Sequence, residues 1–257
     1  MLLAIDVGNT ETKLGSFAFS GEVQHMWRVT TELRRTADEY GVFFTQLFAT
    51  QGLDHRAIDA VAIASVVPNL DRILESACER FFGATPIFLK AHKQTLMPVR
   101  TDRPSEVGAD LVAAAIGGRA RYGAPLIVIS YGTATVFMAI SQAGEYLGVA
   151  IAPGINTSID ALVGNTAKLP QIALEAPERA IGRNTIEALQ AGIVYGFVGQ
   201  TEALVGRMRE ELGAHARVVA TGGLAEVVAK HSAQIELVDP HLSMIGLRLF
   251  HESMAVL

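Results

Sequence analysis

Three short stretches of the chain carry residue types suited to holding a phosphate ester. Gly8-Asn9-Thr10 and Gly132-Thr133-Ala134-Thr135 are tight turns rich in small and hydroxyl-bearing residues. Small side chains let the backbone approach an anion, while its N–H groups and the hydroxyls act as donors. Asp6 stands two residues before the first turn, where a carboxylate can hold magnesium directly or through its waters. Val218-Val219-Ala220-Thr221-Gly222-Gly223 reads as a strand entering a helix through a double glycine, which suits a flat nucleoside lying against backbone. Each feature also has a plain structural reading: a Gly-Asn pair makes a hairpin turn, a strand-end Asp forms turns, and paired glycines cap helices.

The elements that must position these residues follow from apolar periodicity. Leu2–Val7, Lys13–Phe19 and Glu22–Val29 read as strands, with a turn at Ser20-Gly21. Asp38–Thr50 has helical spacing, Ala60–Val67 is a buried strand stopped by Pro68, and a helix over Leu70–Phe82 precedes a strand at Ile87–Leu89. The second half repeats the order. Strands at Leu126–Tyr131, Ala134–Ile140 and Tyr146–Ile151 precede helices, the longest over Thr185–Leu212. A strand at Arg217–Thr221, a helix after Gly223, a strand at Gln234–Val238 and a helix after Pro240 complete it. Superposing Asp6 on Ser130 also places Gly8 on Gly132. The expected fold is therefore a duplicated α/β unit, a mixed sheet with helices on both faces in each half, and a ligand cleft between halves. The halves are expected at residues 1–112 and 113–257.

Composition narrows the function classes. Of 257 residues half are apolar and 18% charged, which excludes a disordered chain. The net charge of −5 argues against a nucleic-acid footprint, and no apolar run reaches the roughly 18–20 residues of a membrane helix. Cys78 is the one cysteine, so no internal disulfide or cysteine zinc cluster forms, and a reducing, cytoplasmic location is expected. Its apparent helix offers no basic neighbour to activate it. Trp27, Phe43, Phe44, Phe81 and Phe82 sit at core spacing. Walker, Rossmann, nucleophile-elbow and zincin signatures are absent, so any nucleotide is handled by another architecture.

The chain resembles the actin–hexokinase–Hsp70 ATPase superfamily and, within it, the type III pantothenate kinases. The resemblance rests on DVGNTETK (6–13), PSEVGAD (104–110), YGTAT (131–135), IAPGI (151–155), the stretch from Ala161-Leu162 to Leu169-Pro170, IGRNT (181–185), AGIVYGFVG (191–199) and TGG (221–223). It implies the duplicated actin-like, ribonuclease H-like fold, and ATP- and magnesium-dependent phosphorylation of pantothenate, the first step of coenzyme A synthesis. By resemblance Asp6, Val7, Gly8, Asn9, Thr10, Glu11, Thr12 and Lys13 form the first phosphate motif, with Asp6 near magnesium and Lys13 near phosphate oxygens. Gly132 and Thr133 belong to the second, and Gly222 and Gly223 to the nucleotide site. Asp110 matches the catalytic base that accepts the pantothenate hydroxyl proton, with Gly108, Ala109 and Leu111 around it. Read from its neighbours alone, Asp110 is better described as an acidic residue at a helix N-terminus than as a catalytic group. Thr185 matches a residue reaching pantothenate in the neighbouring subunit's site, which implies a homodimer.

Several positions depart from the family pattern. Leu111 stands where an Arg usually contacts substrate, Ser130 where an Asp binds potassium or ammonium, and Val136 where a second Thr is usual. Thr101 and Arg103 replace a Tyr and an Asn of the pantothenate pocket, and Val149 replaces a glycine. An Arg–carboxylate hydrogen bond contributes about 1.5–3 kcal/mol, so its loss weakens substrate about ten- to a hundredfold unless compensated. Three readings follow: a pantothenate kinase in which Arg103 or Arg100 takes over beside Asp110, a kinase for another small alcohol, and a nucleotide-binding pseudokinase with a regulatory role. The Ser130 substitution predicts a weak potassium dependence.

Overall fold

The computed structural model describes residues 1–18, 21, 23–164, 170 and 172–254. The expected strand ends at Phe19 and Glu22, the turn residue Ser20, and Leu169 lie outside them.

The chain divides into two units, each built on a five-stranded mixed sheet. In the first, β1 (Leu2–Val7), β2 (Glu11–Phe17) and β3 (Val23–Thr30) form an antiparallel meander. Helix α1 (Ala37–Thr50), strand β4 (Ala60–Ser65), helix α2 (Pro68–Phe82) and strand β5 (Ile87–Phe88) follow. The sheet order is β3-β2-β1-β4-β5, with β4 and β5 added in parallel. Crossover through a helix produces that parallel pairing, because a tight hairpin can only reverse the chain. Local sequence sets the helix ends. Thr36 and Glu39 form a reciprocal capping box before α1, and Pro68 opens α2, where its missing N–H costs nothing.

Alternation along β1 decides which residues reach which layer. Leu3, Ile5 and Val7 enter the apolar cluster with Phe44 and Phe48 of α1 and Leu70 and Leu74 of α2. Leu2, Ala4 and Asp6 therefore point to the opposite face. There the last helix, α7 (Leu242–Met254), lies against β1 and β4 and is crossed by α3 (Ala109–Tyr122). The α3–α7 crossing is close because both helices present glycine. A Cβ on Gly117 would fall on the Leu242 carbonyl, and one on Gly246 on that of Ala113. Cys78 is fully buried under the sheet, and burial pushes its thiol up to about 12, which leaves it an inert core residue. Trp27, Phe44 and Phe82 are likewise core, with Phe43 half-buried against them.

The second unit repeats the plan. Strands β6 (Leu126–Tyr131), β7 (Ala134–Ile140) and β8 (Tyr146–Pro153) form its meander. Helices α4 (Ile155–Gly164) and α5 (Thr185–Leu212), strand β9 (Arg217–Thr221), helix α6 (Ala225–Ala229) and strand β10 (Leu237–Val238) follow, in the order β10-β9-β6-β7-β8. The mixed sheets and their helices match the fold class expected from the duplicated pattern.

The division between units differs from the sequence expectation. The first unit takes Met1–Ala120 and His241–Leu257, and the second Arg121–Pro240. Packing is the reason: α3 runs past residue 112 as one helix, and α7, last in sequence, completes the first unit through its glycine crossing.

Candidate active site

The turn Gly8–Glu11 closes the β1–β2 hairpin through Gly8 N–H donating to the Glu11 carbonyl at 3.0 Å. Asn9 and Thr10 are exposed at its tip. Behind it Thr31 donates its backbone N–H to the Thr10 carbonyl (2.9 Å) and its hydroxyl to the Gly8 carbonyl (2.7 Å). The same hydroxyl is 2.8 Å from that of Thr12, in a buried pair. Thr12 is thus committed inward, Val7 lies in the core, and Glu11 is held by the Arg28 guanidinium at 3.0 Å to both oxygens. Of the expected first motif, Asn9 and Thr10 are exposed, while Gly8 closes the turn with both its backbone groups. Val7, Glu11 and Thr12 shape the turn from behind or beside it. Thr31 carries no motif signal; its role is visible only once β3 returns beside the turn.

Pairing register sets Lys13 directly opposite Asp6, and Lys13 Nζ stands 3.7 Å from Asp6 Oδ2. Asp110 occupies the first turn of α3, on the side of the sheet that Asp6 faces. Its Oδ1 is buried without a hydrogen-bond partner. A Cβ on Gly108 would lie 2.5 Å from that oxygen and within 3.6 Å of side-chain carbons of Val66 and Leu111, so apolar walls flank the carboxyl. Burial first, and then the negative charge of Asp6, push Asp110 up to about 6; the Leu111 backbone N–H and the Lys13 ammonium pull the other way. A carboxylate raised this far is mostly ionised at pH 7 and is a stronger proton acceptor than an ordinary Asp.

Thr101 Oγ1 is also buried without a partner in this unit. The expected compensation by Arg103 is not found. Its guanidinium pairs with Glu106 Oε1 at 3.0 Å, and its side chain is 75% exposed. The cause is local, since the short 3-10 turn Pro104–Glu106 places positions three apart on one side. Arg100 is exposed as well.

The second unit holds the corresponding turn. Gly132 N–H donates to the Ala134 carbonyl at 3.0 Å, and Gly132 and Thr133 are exposed. The Thr133 carbonyl accepts from Gly154 N–H (3.1 Å) and the Thr157 hydroxyl (2.8 Å). Backbones meet here without room for a Cβ: on Gly154 it would strike the Gly132 and Thr133 carbonyls, and on Gly222 the Tyr131 carbonyl. Gly222 is also held at φ +97°, a region that other L-residues avoid. Tyr131 turns into the core, where its hydroxyl and that of Thr201 lie 2.7 Å apart. Gly223 is exposed beside Gly222. Ser130 sits within β6 opposite Val136 and Thr221, two uncharged neighbours where Asp6 has Lys13. Thr185 is exposed at the first position of α5, which Asn184 caps.

Residues 2–207 match the family model described as type III pantothenate kinase. The chain belongs to the type III pantothenate kinase family. It is 48% identical to the type III pantothenate kinase of Myxococcus xanthus (strain DK1622) over 98% of each chain. It is equally close to that of Moorella thermoacetica (strain ATCC 39073 / JCM 9320), over 98% of this chain and 99% of that one. Among solved structures it is similar in fold to the (R)-2-hydroxyglutaryl-CoA dehydratase component A of Acidaminococcus fermentans. That likeness has a TM-score of 0.59 and 13% identity, over 99% of this chain and 98% of the other. The activator of 2-hydroxyisocaproyl-CoA dehydratase from Clostridium difficile, solved with bound ADPNP, aligns at TM-score 0.53 and 10% identity over 100% and 97%. Both show the fold alone.

The raised Asp110 has a stability consequence. Its carboxyl binds a proton more tightly folded than unfolded, so its contribution is favourable below about pH 4 and is lost as pH rises through about 6. Asp110→Asn removes that loss. In thermal melts of the metal-free protein, the variant's advantage over wild type should grow from pH 4 to pH 8, by about 1–3 kcal/mol. A difference independent of pH would show that Asp110 is not perturbed.

Proposed function

We propose that this protein transfers the terminal phosphoryl group of ATP to the primary hydroxyl of pantothenate, at the entrance to coenzyme A synthesis. The observation that carries the reading is Asp110, a raised carboxylate with one buried oxygen lacking any partner, next to Asp6 and Lys13. An oxygen kept desolvated and unpaired costs stability, and a hydroxyl donor from the acceptor alcohol would relieve it.

In this mechanism the turn at residues 8–10 and the ammonium of Lys13 receive phosphate oxygens; within the second unit, Gly132, Thr133, Gly222 and Gly223 form a further set of small and hydroxyl-bearing positions suited to a nucleotide. Asp110 takes the hydroxyl proton as the acceptor oxygen attacks phosphorus, and the bond to ADP breaks. Magnesium fits the donor set, because one strand-end carboxylate, Asp6, completed by substrate phosphates is how this ion is ordinarily held. Bound there, it would neutralise charge developing on the transferred group. Potassium does not fit in the same way: Ser130 offers a neutral hydroxyl where the resemblance puts a carboxylate. A pseudokinase would have no use for the unpaired Asp110 oxygen, which favours the working enzyme.

The finer partners belong to the same reading. Leu147, Val149 and Ile151 alternate outward on β8, with Ile186 exposed early in α5. These apolar positions support a homodimer in which Thr185 reaches the neighbouring subunit's substrate, in the cytoplasm where pantothenate is used. No helix among the described residues is long and apolar enough to cross a membrane. Sedimentation at twice 27.4 kDa is expected; monomer mass at assay concentration would contradict the shared site.

The test is ADP release coupled to a spectrophotometric readout, with magnesium, ATP and pantothenate, in sodium and then potassium. Turnover should require pantothenate, change little between the two salts, and fall about 100- to 10,000-fold in Asp110→Asn. ADP release that ignores pantothenate or survives that substitution would overturn the assignment, and a steep potassium requirement would overturn the reading of Ser130.

A further inference from the structure

The first phosphate turn is aimed from behind. Thr31 is 8% exposed and sits one residue past the end of β3, where its hydroxyl and backbone N–H both reach turn carbonyls. A hydroxyl has one proton. Since Thr31 Oγ1 spends it on the Gly8 carbonyl, the 2.8 Å contact with Thr12 must be donated by Thr12. The result is a directional relay, from the Thr12 hydroxyl to the Thr31 hydroxyl to the Gly8 carbonyl, in which each bond polarises the next.

Peptide geometry turns this into an effect on the site. In a planar trans peptide the carbonyl and the following N–H point in opposite directions. Drawing the Gly8 and Thr10 carbonyls toward Thr31 therefore points the Asn9 and Glu11 N–H groups the other way, off the outer side of the turn. Two outward donors close together are what an anionic oxygen needs. The second unit is built alike: the Thr133 carbonyl is drawn back by the Thr157 hydroxyl and Gly154 N–H, which turns out the Ala134 N–H.

We propose that Thr31 is a positioning residue for nucleotide binding, fixing through the Gly8 and Thr10 carbonyls the direction of the backbone donors that meet the ATP phosphates. The proposal rests on the kinase reading for its ligand but not on pantothenate as acceptor. Thr31→Val keeps the shape and removes the relay; Thr31→Ser keeps the hydroxyl.

The full-length chain is titrated calorimetrically with a magnesium-bound, non-hydrolysable ATP analogue, without acceptor. Thr31→Val should bind it about tenfold more weakly or worse, from one lost hydrogen bond and a carbonyl left unpaired. Thr31→Ser should recover to within about threefold, since the relay is intact. The Michaelis constant for pantothenate, measured at saturating ATP, should stay at the wild-type value in both. If Thr31→Val is insoluble, Thr31→Ala carries the same expectation. Wild-type affinity in a folded Thr31→Val, or equal losses in the Val and Ser variants, would overturn the proposal, the second by showing that packing and not the hydroxyl matters. The binding ratio decides Thr31 with no acceptor present, whereas wild-type turnover of pantothenate decides the acceptor separately.

Discussion

Two carboxylates placed where each feels the other's charge are the constraint around which the first unit is organised. Asp6 is the penultimate residue of a strand buried along its whole length, and Asp110 lies in the first turn of a helix on the face to which Asp6 points. Water would stabilise both charges better than this setting does, and like charges raise the cost further. The surroundings offset part of it. Lys13 is brought opposite Asp6 by strand register, and the first turn of α3 provides backbone N–H groups to Asp110. What is left uncompensated, the unpartnered Asp110 oxygen, is the part that chemistry can use.

The other features of the site follow from making room for that pair. A helix must come close enough to the sheet to set Asp110 near Asp6, and the Gly117 and Gly246 contacts let α3 and α7 approach at backbone distance. Small residues on β1 and β4, Ala4, Ala62 and Ala64, fill the space beneath. The turns obey a similar economy of space. Gly154 and Gly222 allow three backbone segments to meet at the second turn, and a threonine behind each turn occupies carbonyls that would otherwise be free to rotate toward an incoming anion.

Much of this was legible in the sequence where the signal is local. Strands β6 and β7 and helix α5 begin and end where apolar periodicity and turn residues put them. The family resemblance singles out Asp110 but not its state, which depends on Asp6 and Val66 arriving from elsewhere in the chain to join Leu111 around it. Thr31 was not legible, because a threonine at a strand end says nothing until the strand is seen to return beside Gly8 and Thr10. Arg103, at a position the resemblance puts in the pantothenate pocket, pairs instead with Glu106 three residues on, a choice set by the local turn and not by the motif. The place of α7 is illegible for a related reason: it is far in sequence from β1, and its glycine contact with α3 makes it part of the first unit.

Leu111 offers no charge to a substrate carboxylate, and phosphoryl transfer to pantothenate is expected to persist without one. The most direct measurement is the fate of the transferred group. ATP carrying oxygen-18 on its terminal phosphate is incubated with the protein, magnesium and pantothenate, and the products are resolved by mass spectrometry and phosphorus NMR. The account predicts a phosphopantothenate that bears the label on a phosphate monoester at the primary alcohol. Label found only in inorganic phosphate, with pantothenate recovered unchanged, would contradict it.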